Sequence, residues 1–119
     1  MLLNIFLIGM GGALGAISRF VINEVVFRDS VLSSSFSTLV VNIIGCFLIG
    51  LIVGATIPSK DSSYYFIIIG FLGSFTTMSA FTYQTIIIAN SNLIHALSYI
   101  MLTVVLTIYA TYLGAWITR

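Results

Sequence analysis

Charge is scarce in this sequence. Four Lys/Arg and three Asp/Glu make up 6% of the 119 residues and leave a formal net charge of +1, whereas an ordinary soluble domain carries about 25% charged residues. Such a chain builds no basic field able to hold a polyanion, which excludes polynucleotide binding. Cys46 is the one cysteine and His95 the one histidine. A lone cysteine forms no intramolecular disulfide, and the pair cannot close a four-ligand zinc site. The one proline, Pro58, falls in a polar stretch. No phosphate-binding loop, nucleophile paired with a base or metal-ligand cluster is present, so an enzyme is not expected.

What is abundant is apolar surface, with 60% hydrophobic residues. A bilayer core about 30 Å thick needs roughly 20 helical residues at about 1.5 Å each, so this length accommodates four spans. Apolar runs predict them at about 2–22, 37–57, 64–89 and 96–117, giving an all-α membrane protein with one transmembrane domain over 1–119. The first run has no Lys or Arg before it and contains four glycines, which reads as a retained helix and not a secretory leader. Asn23, Glu24, Arg28, Asp29 and Ser33, Ser34 and Ser35 form the first connection, and Pro58, Lys60, Asp61, Ser62 and Ser63 the second. Both read as water-facing turns, with Glu24 and Arg28 spaced for a local ion pair. The third connection, Asn90, Ser91, Asn92 and His95, is a short break that predicts a helical hairpin.

All ten glycines fall inside the predicted spans. Lipid tails give helices no hydrophobic reason to associate, so small residues that let backbones approach supply the contact. Gly11/Gly15 and Gly50/Gly54 are therefore expected at packing or dimer seams. Lys60 and Arg119 lie on one side of the membrane, and Arg19 and Arg28 toward the other. This two-against-two score gives almost no preferred orientation. A chain that inserts both ways can pair antiparallel, with inverted symmetry built between two copies. Trp116, Tyr109 and Tyr112 read as part of an interfacial belt, and Cys46 as a packing residue.

The chemically informative stretch is Gly70-Phe71-Leu72-Gly73-Ser74-Phe75-Thr76-Thr77-Met78-Ser79-Ala80-Phe81-Thr82. Glycine and threonine are weak helix formers, and this run predicts a broken third helix whose freed carbonyls could face an ion or line a pore. The alternative is a kinked helix with hydroxyls bonded to its own backbone. Asn42 lies deep in an apolar run, four residues after Thr38 and on the same face; a buried amide there either glues helices together or offers its N–H groups to an anion. Tyr99, Thr103, Thr107 and Thr111 recur every four residues as a hydroxyl stripe. No Asp or Glu falls in the interior of a predicted span, so proton-coupled antiport has no candidate carboxylate. Hydroxyls, one amide and the ring edges of Phe71, Phe75 and Phe81 suit a small anion better than a cation.

Three motifs in order, Gly11-Gly12-Ala13-Leu14-Gly15-Ala16-Ile17-Ser18-Arg19-Phe20, then Thr38 to Gly50 around Asn42, then the stretch above, resemble the Fluc/CrcB family of fluoride channels over essentially the whole chain. The resemblance implies an antiparallel dual-topology homodimer in the cell membrane that passively exports fluoride through two pores. It also implies a structural sodium ion at the centre of the dimer interface, held by backbone carbonyls of Gly73 and Thr76 from each chain. Asn42, Met78, Ser79, Phe81, Tyr99, Thr103 and Thr107 match pore-lining positions, and Arg19 a structural or vestibule position. Thr103 and Thr107 stand where serines are common. Met78 stands where the family commonly has phenylalanine, and Gln84 where glutamate is frequent; a nonidentical partner supplying the missing ring is the alternative to a homodimer. The rival readings are a small multidrug-type exporter, disfavoured because the first helix lacks a carboxylate, and a noncatalytic membrane assembly subunit.

Overall fold

The computed structural model describes residues 1–26, 31–56 and 58–119, and among them every regular element is helical. Helix α1, Leu2–Val21, runs into a π turn at Ile22–Val26. Helix α2 is Val31–Ala55. The third span begins as π-type turns over Tyr64–Leu72 and passes through a short helical turn, α3, Gly73–Phe75. It resumes as α4, Met78–Ser91, and the chain ends in α5, Leu93–Thr118. Four stretches are long and apolar enough to cross a membrane: Leu2–Val25, Ser34–Ala55, Tyr64–Ser91 and Leu93–Thr118. The molecule's long axis of 46 Å exceeds the hydrocarbon thickness of about 30 Å.

The spans fall where apolar runs predicted them, but two boundaries differ. Helix α2 starts at Val31, so Ser34 and Ser35 belong to a helix and not to a water-facing turn. Ser35 and Ser37 are buried. Ser37 donates its hydroxyl to the Asn23 side-chain oxygen, which satisfies a polar group that hydropathy reads as solvent-seeking. Arg28 and Asp29, with the expected Glu24–Arg28 pair, and Ile57 lie outside the described residues. At the other boundary α5 begins at Leu93 and not Ala96, because Asn92 alone links α4 to α5. Its backbone N–H bonds the Ile88 carbonyl at 2.8 Å. Its side-chain oxygen accepts from the N–H groups of Ile94 and His95 at 3.0 and 3.3 Å. One residue thus ends one helix and caps the next. In the second connection Asp61 plays the capping part, accepting the Tyr64 N–H at 3.0 Å.

Glycine decides how the helices meet. An added Cβ at Gly11 would strike the Phe66 carbonyl, one at Gly15 the Phe71 carbonyl and the Ser74 hydroxyl, and one at Gly70 the Ile8 carbonyl. On α2 and α5 the same holds for Gly50 against Thr111, Gly54 against Ala115, and Gly114 against Phe47. Residue numbers rise together from Gly11–Phe66 to Gly15–Phe71 and from Gly50–Thr111 to Gly54–Ala115, so α1 runs parallel to the third span and α2 parallel to α5, as alternating crossings require. Gly11/Gly15 and Gly50/Gly54 are therefore packing seams within one chain. Threonine hydroxyls tie the second seam: Thr111 donates to the Cys46 carbonyl at 3.1 Å and Thr118 to the Leu51 carbonyl at 2.8 Å. Both also lie near their own helix's carbonyls, a common way to settle a hydroxyl at membrane depth. Tyr109, Tyr112 and Trp116 are exposed, as an interfacial belt needs.

The seam geometry makes a testable contrast. Gly50→Ala places a methyl against backbone and is expected to destabilise the protein by about 1–3 kcal/mol, whereas Gly9→Ala, where nothing lies within 4 Å of the added atom, is expected to be silent. Equilibrium unfolding in mixed micelles checks both.

Candidate functional site

The chain departs from helical backbone at Thr76 (φ −79°, ψ 154°) and Thr77 (φ −150°, ψ 120°). An extended residue inside an apolar span releases N–H and C=O groups that must find partners, because lipid offers none. Asn42 supplies them. Its Nδ2 donates to the Thr77 carbonyl at 3.1 Å, and its Oδ1 accepts the Thr77 N–H at 2.8 Å. This pairing uses one of the two amide N–H groups; the other has no partner among the described residues. Thr38 and Asn42 are both buried on one face of α2. The Thr77 hydroxyl in turn accepts the Ala80 N–H at 3.2 Å, capping α4.

These bonds redirect two helical donors. In unbroken α-helix Thr77 N–H would serve the Gly73 carbonyl and Ala80 N–H that of Thr76; here they serve Asn42 Oδ1 and Thr77 Oγ1. The extended link thus takes the helical donors from the Gly73 and Thr76 oxygens, and equally from those of Ser74 and Phe75, whose usual donors, the Met78 and Ser79 N–H groups, open α4. Gly73 and Thr76 line a hollow of ≈ 230 Å³ with Gly45, Cys46, Ile49, Ile68 and Leu72, and its wall is almost wholly apolar.

Helix register carries α5 to the same level. Asn42 precedes Gly50 by as many residues as Thr103 precedes Thr111, and Gly50 lies against Thr111. Phe81 packs its ring on Tyr99 with centroids 5.3 Å apart, so Thr77, one turn before Phe81, matches Thr103, one turn after Tyr99. Three elements therefore converge at Asn42, Thr77 and Thr103. The Thr103 hydroxyl is buried there with no partner among the described residues. A buried hydroxyl without a partner calls for an explanation such as an ion or water.

The rest of the hydroxyl stripe is differently employed. Thr107 donates to the Thr103 carbonyl at 2.6 Å and Tyr99 to the Gln84 side-chain oxygen at 3.2 Å. Their protons are committed within the chain, so only Thr103 among the three offers an unengaged donor. Phe75 is buried and stacked on Phe71 at 5.5 Å, a core arrangement. Met78, 70% exposed, and Ser79, also exposed, stand on the outer surface of the single chain. Arg19 lies half-buried in the last turn of α1. Among the described residues no group of three His, Cys, Asp or Glu side chains could hold a metal, so any cation here would rely on carbonyl and hydroxyl oxygen.

Sequence reasoning named Thr77 and Gln84 but assigned neither a place in the site. Thr77 announces itself only as a threonine preceding a helix start, a preference that needs the break to be located first. Gln84 is buried because Tyr99 gives its oxygen a partner, a pairing between helices that no local spacing encodes.

A family model described as CrcB-like protein, Camphor Resistance (CrcB), matches residues 6–115. A fluoride-specific ion channel FluC of Azobacteroides pseudotrichonymphae is 34% identical, with 100% of this chain and 98% of the relative aligned. Another from Hydrogenovibrio crunogenus is 36% identical over 96% of this chain and 89% of the relative. One from Campylobacter jejuni is 39% identical over 96% of each.

Asn42→Ala leaves the Thr77 N–H and carbonyl without partners and is expected to cost about 1–3 kcal/mol. Thr103→Val deletes a hydroxyl that bonds nothing in the chain and is expected to leave stability unchanged or slightly higher. Unfolding of the two variants side by side in mixed micelles separates them.

Proposed function

The chain belongs to the CrcB-like family, and from that premise we propose that it is a fluoride-selective channel, a multi-pass membrane protein that lets fluoride leave the cell passively. The observation that carries the reading is the uncommitted donor pair at mid-span, the second Asn42 N–H and the Thr103 hydroxyl. An unassisted small anion entering hydrocarbon faces a desolvation cost of tens of kcal/mol. Fixed donors replace part of its water shell, and a hard, compact ion benefits most from short bonds to them. Phe81, held against Tyr99, is oriented by packing and can meet an anion with its positive ring edge. The absence of carboxylates around this cluster keeps the route free of repelling charge.

The finer assembly is part of the same proposal. Met78 and Ser79 belong to the ion route yet lie on the outer surface of one chain, so a second copy, inserted in the opposite orientation, supplies the facing wall. The pair has two such routes. The extended Thr76–Thr77 link acts as the break of a broken third helix. A sodium ion at the centre of the pair would be held by the Gly73 and Thr76 carbonyls of each chain, which are among the four oxygens that the break deprives of helical donors. When bound, sodium supplies a fixed positive charge that joins the two breaks. Arg19 stands at a vestibule, away from the central donors. A homodimer is the simpler assembly, and a nonidentical partner that restores a phenylalanine opposite Met78 is its alternative.

Purified protein in sealed vesicles is expected to release fluoride while retaining chloride. Vesicles that keep their fluoride as well as empty ones would overturn the reading in favour of an assembly subunit, and proton-dependent export of organic cations would favour the exporter. Thr103→Val, expected to fold normally, should lower fluoride flux at least about tenfold, the effect of losing one charge-assisted hydrogen bond. Asn42→Asp should lower both stability and fluoride flux, since a carboxylate repels the anion and also gives up the donor to the Thr77 carbonyl. Replacing sodium on both sides by N-methylglucamine should also reduce flux if the cation is held as proposed.

A further inference from the structure

The Ser74 hydroxyl sits among three carbonyl oxygens. It lies 2.7 Å from Gly12 O on α1, 3.0 Å from Gly70 O and 3.3 Å from Phe71 O. A hydroxyl carries one proton, and the shortest contact assigns it to Gly12, across the seam. Gly15, one turn on, has no room for a side chain because an added Cβ would strike this same hydroxyl. The oxygen is thus clasped between α1 and its own helix.

The backbone explains why a donor is needed there. The Gly73 N–H reaches back to the Ile68 carbonyl in π fashion, and also to that of Gly70, whereas the Thr76 N–H reaches Leu72 at 3.1 Å in α fashion. Between these two bonds four N–H groups, Gly73 to Thr76, face five carbonyls, Ile68 to Leu72. The change from π to α turns therefore leaves one more acceptor than donors. Gly70 and Phe71 lie within that interval, and Ser74 Oγ is beside both. Its proton has two destinations, α1 or the surplus carbonyl, and either one holds the transition at this level of the span.

We propose that Ser74 is a positioning residue: its hydroxyl fixes the point at which the π turns end, and through it sets where the extended Thr76–Thr77 pair meets Asn42. The link is short, since Thr76 also returns its own hydroxyl to Leu72 at 2.9 Å, and Thr77 follows directly. The inference rests on the channel reading only for its effect on flux; its effect on the Thr77 backbone stands independently.

Hydrogen exchange on the full-length protein in lipid nanodiscs tests the backbone claim. Ser74→Ala is expected to speed exchange of the Thr77 amide about tenfold, the loss of roughly one hydrogen bond's protection, with amides in the middle of α5 unchanged. Ser74→Thr retains the hydroxyl and should restore the slow rate; if its added methyl prevents folding, Ser74→Cys, a weaker donor, should fall between. Unchanged Thr77 exchange in Ser74→Ala, or uniform acceleration in every helix, overturns the proposal. In vesicles Ser74→Ala should lower fluoride flux severalfold, and adding it to Asn42→Ala should lower flux no further, because both act through Thr77. Additive losses would mean that Ser74 acts elsewhere. Wild-type vesicles that pass no fluoride would refute the channel reading and leave the exchange result to decide the Ser74 assignment.

Discussion

A backbone that leaves the helix inside a membrane has to be met by protein, and here the Asn42 carboxamide does so by pairing with both polar groups of Thr77. One side chain mimics the partner that a neighbouring peptide would offer, an accepting oxygen beside a donating nitrogen. The extended link depends on it, and the Thr77 hydroxyl held there caps the restart of α4. An apolar residue at position 42 would leave both Thr77 groups without that partner, at the cost of about 1–3 kcal/mol expected for Asn42→Ala. Because a carboxamide has two N–H groups, the same residue can hold the link and still present a donor to an ion.

The seams give that pairing its accuracy. With α1 against the π turns and α2 against α5, glycine lets main chain touch main chain, so relative helix positions are set by backbone contact and not by flexible side chains. Asn42 on α2 and Thr77 at the start of α4 come from different seams. Gly45, whose added Cβ would meet the Thr76 side chain, lets α2 approach the link closely enough for the amide to reach it.

The four crossings were legible because uninterrupted apolar runs have one economical solution in lipid. Ser34 and Ser35 were less so, since a serine with a helical neighbour to bond looks in sequence like one that seeks water. Asn42 was readable as a buried amide that needs partners, but spacing did not separate glue from donor; the geometry has one N–H gluing and the other without a partner among the described residues. The hydroxyl stripe shows the limit most clearly. Tyr99, Thr103 and Thr107 share a periodicity, yet their protons go to Gln84, to nothing, and to a carbonyl respectively. Periodicity fixes which face a residue occupies, whereas the direction of a proton depends on the rotamer and on the helix opposite.

The single-residue hinge at Asn92 has a bearing on biogenesis. With no loop to thread, α4 and α5 enter the lipid as one folded-over unit, and what must be buried or carried over at that tip is an uncharged carboxamide already occupied in capping. Such a tip brings no Lys or Arg to the charge balance by which cytoplasmic loops are marked.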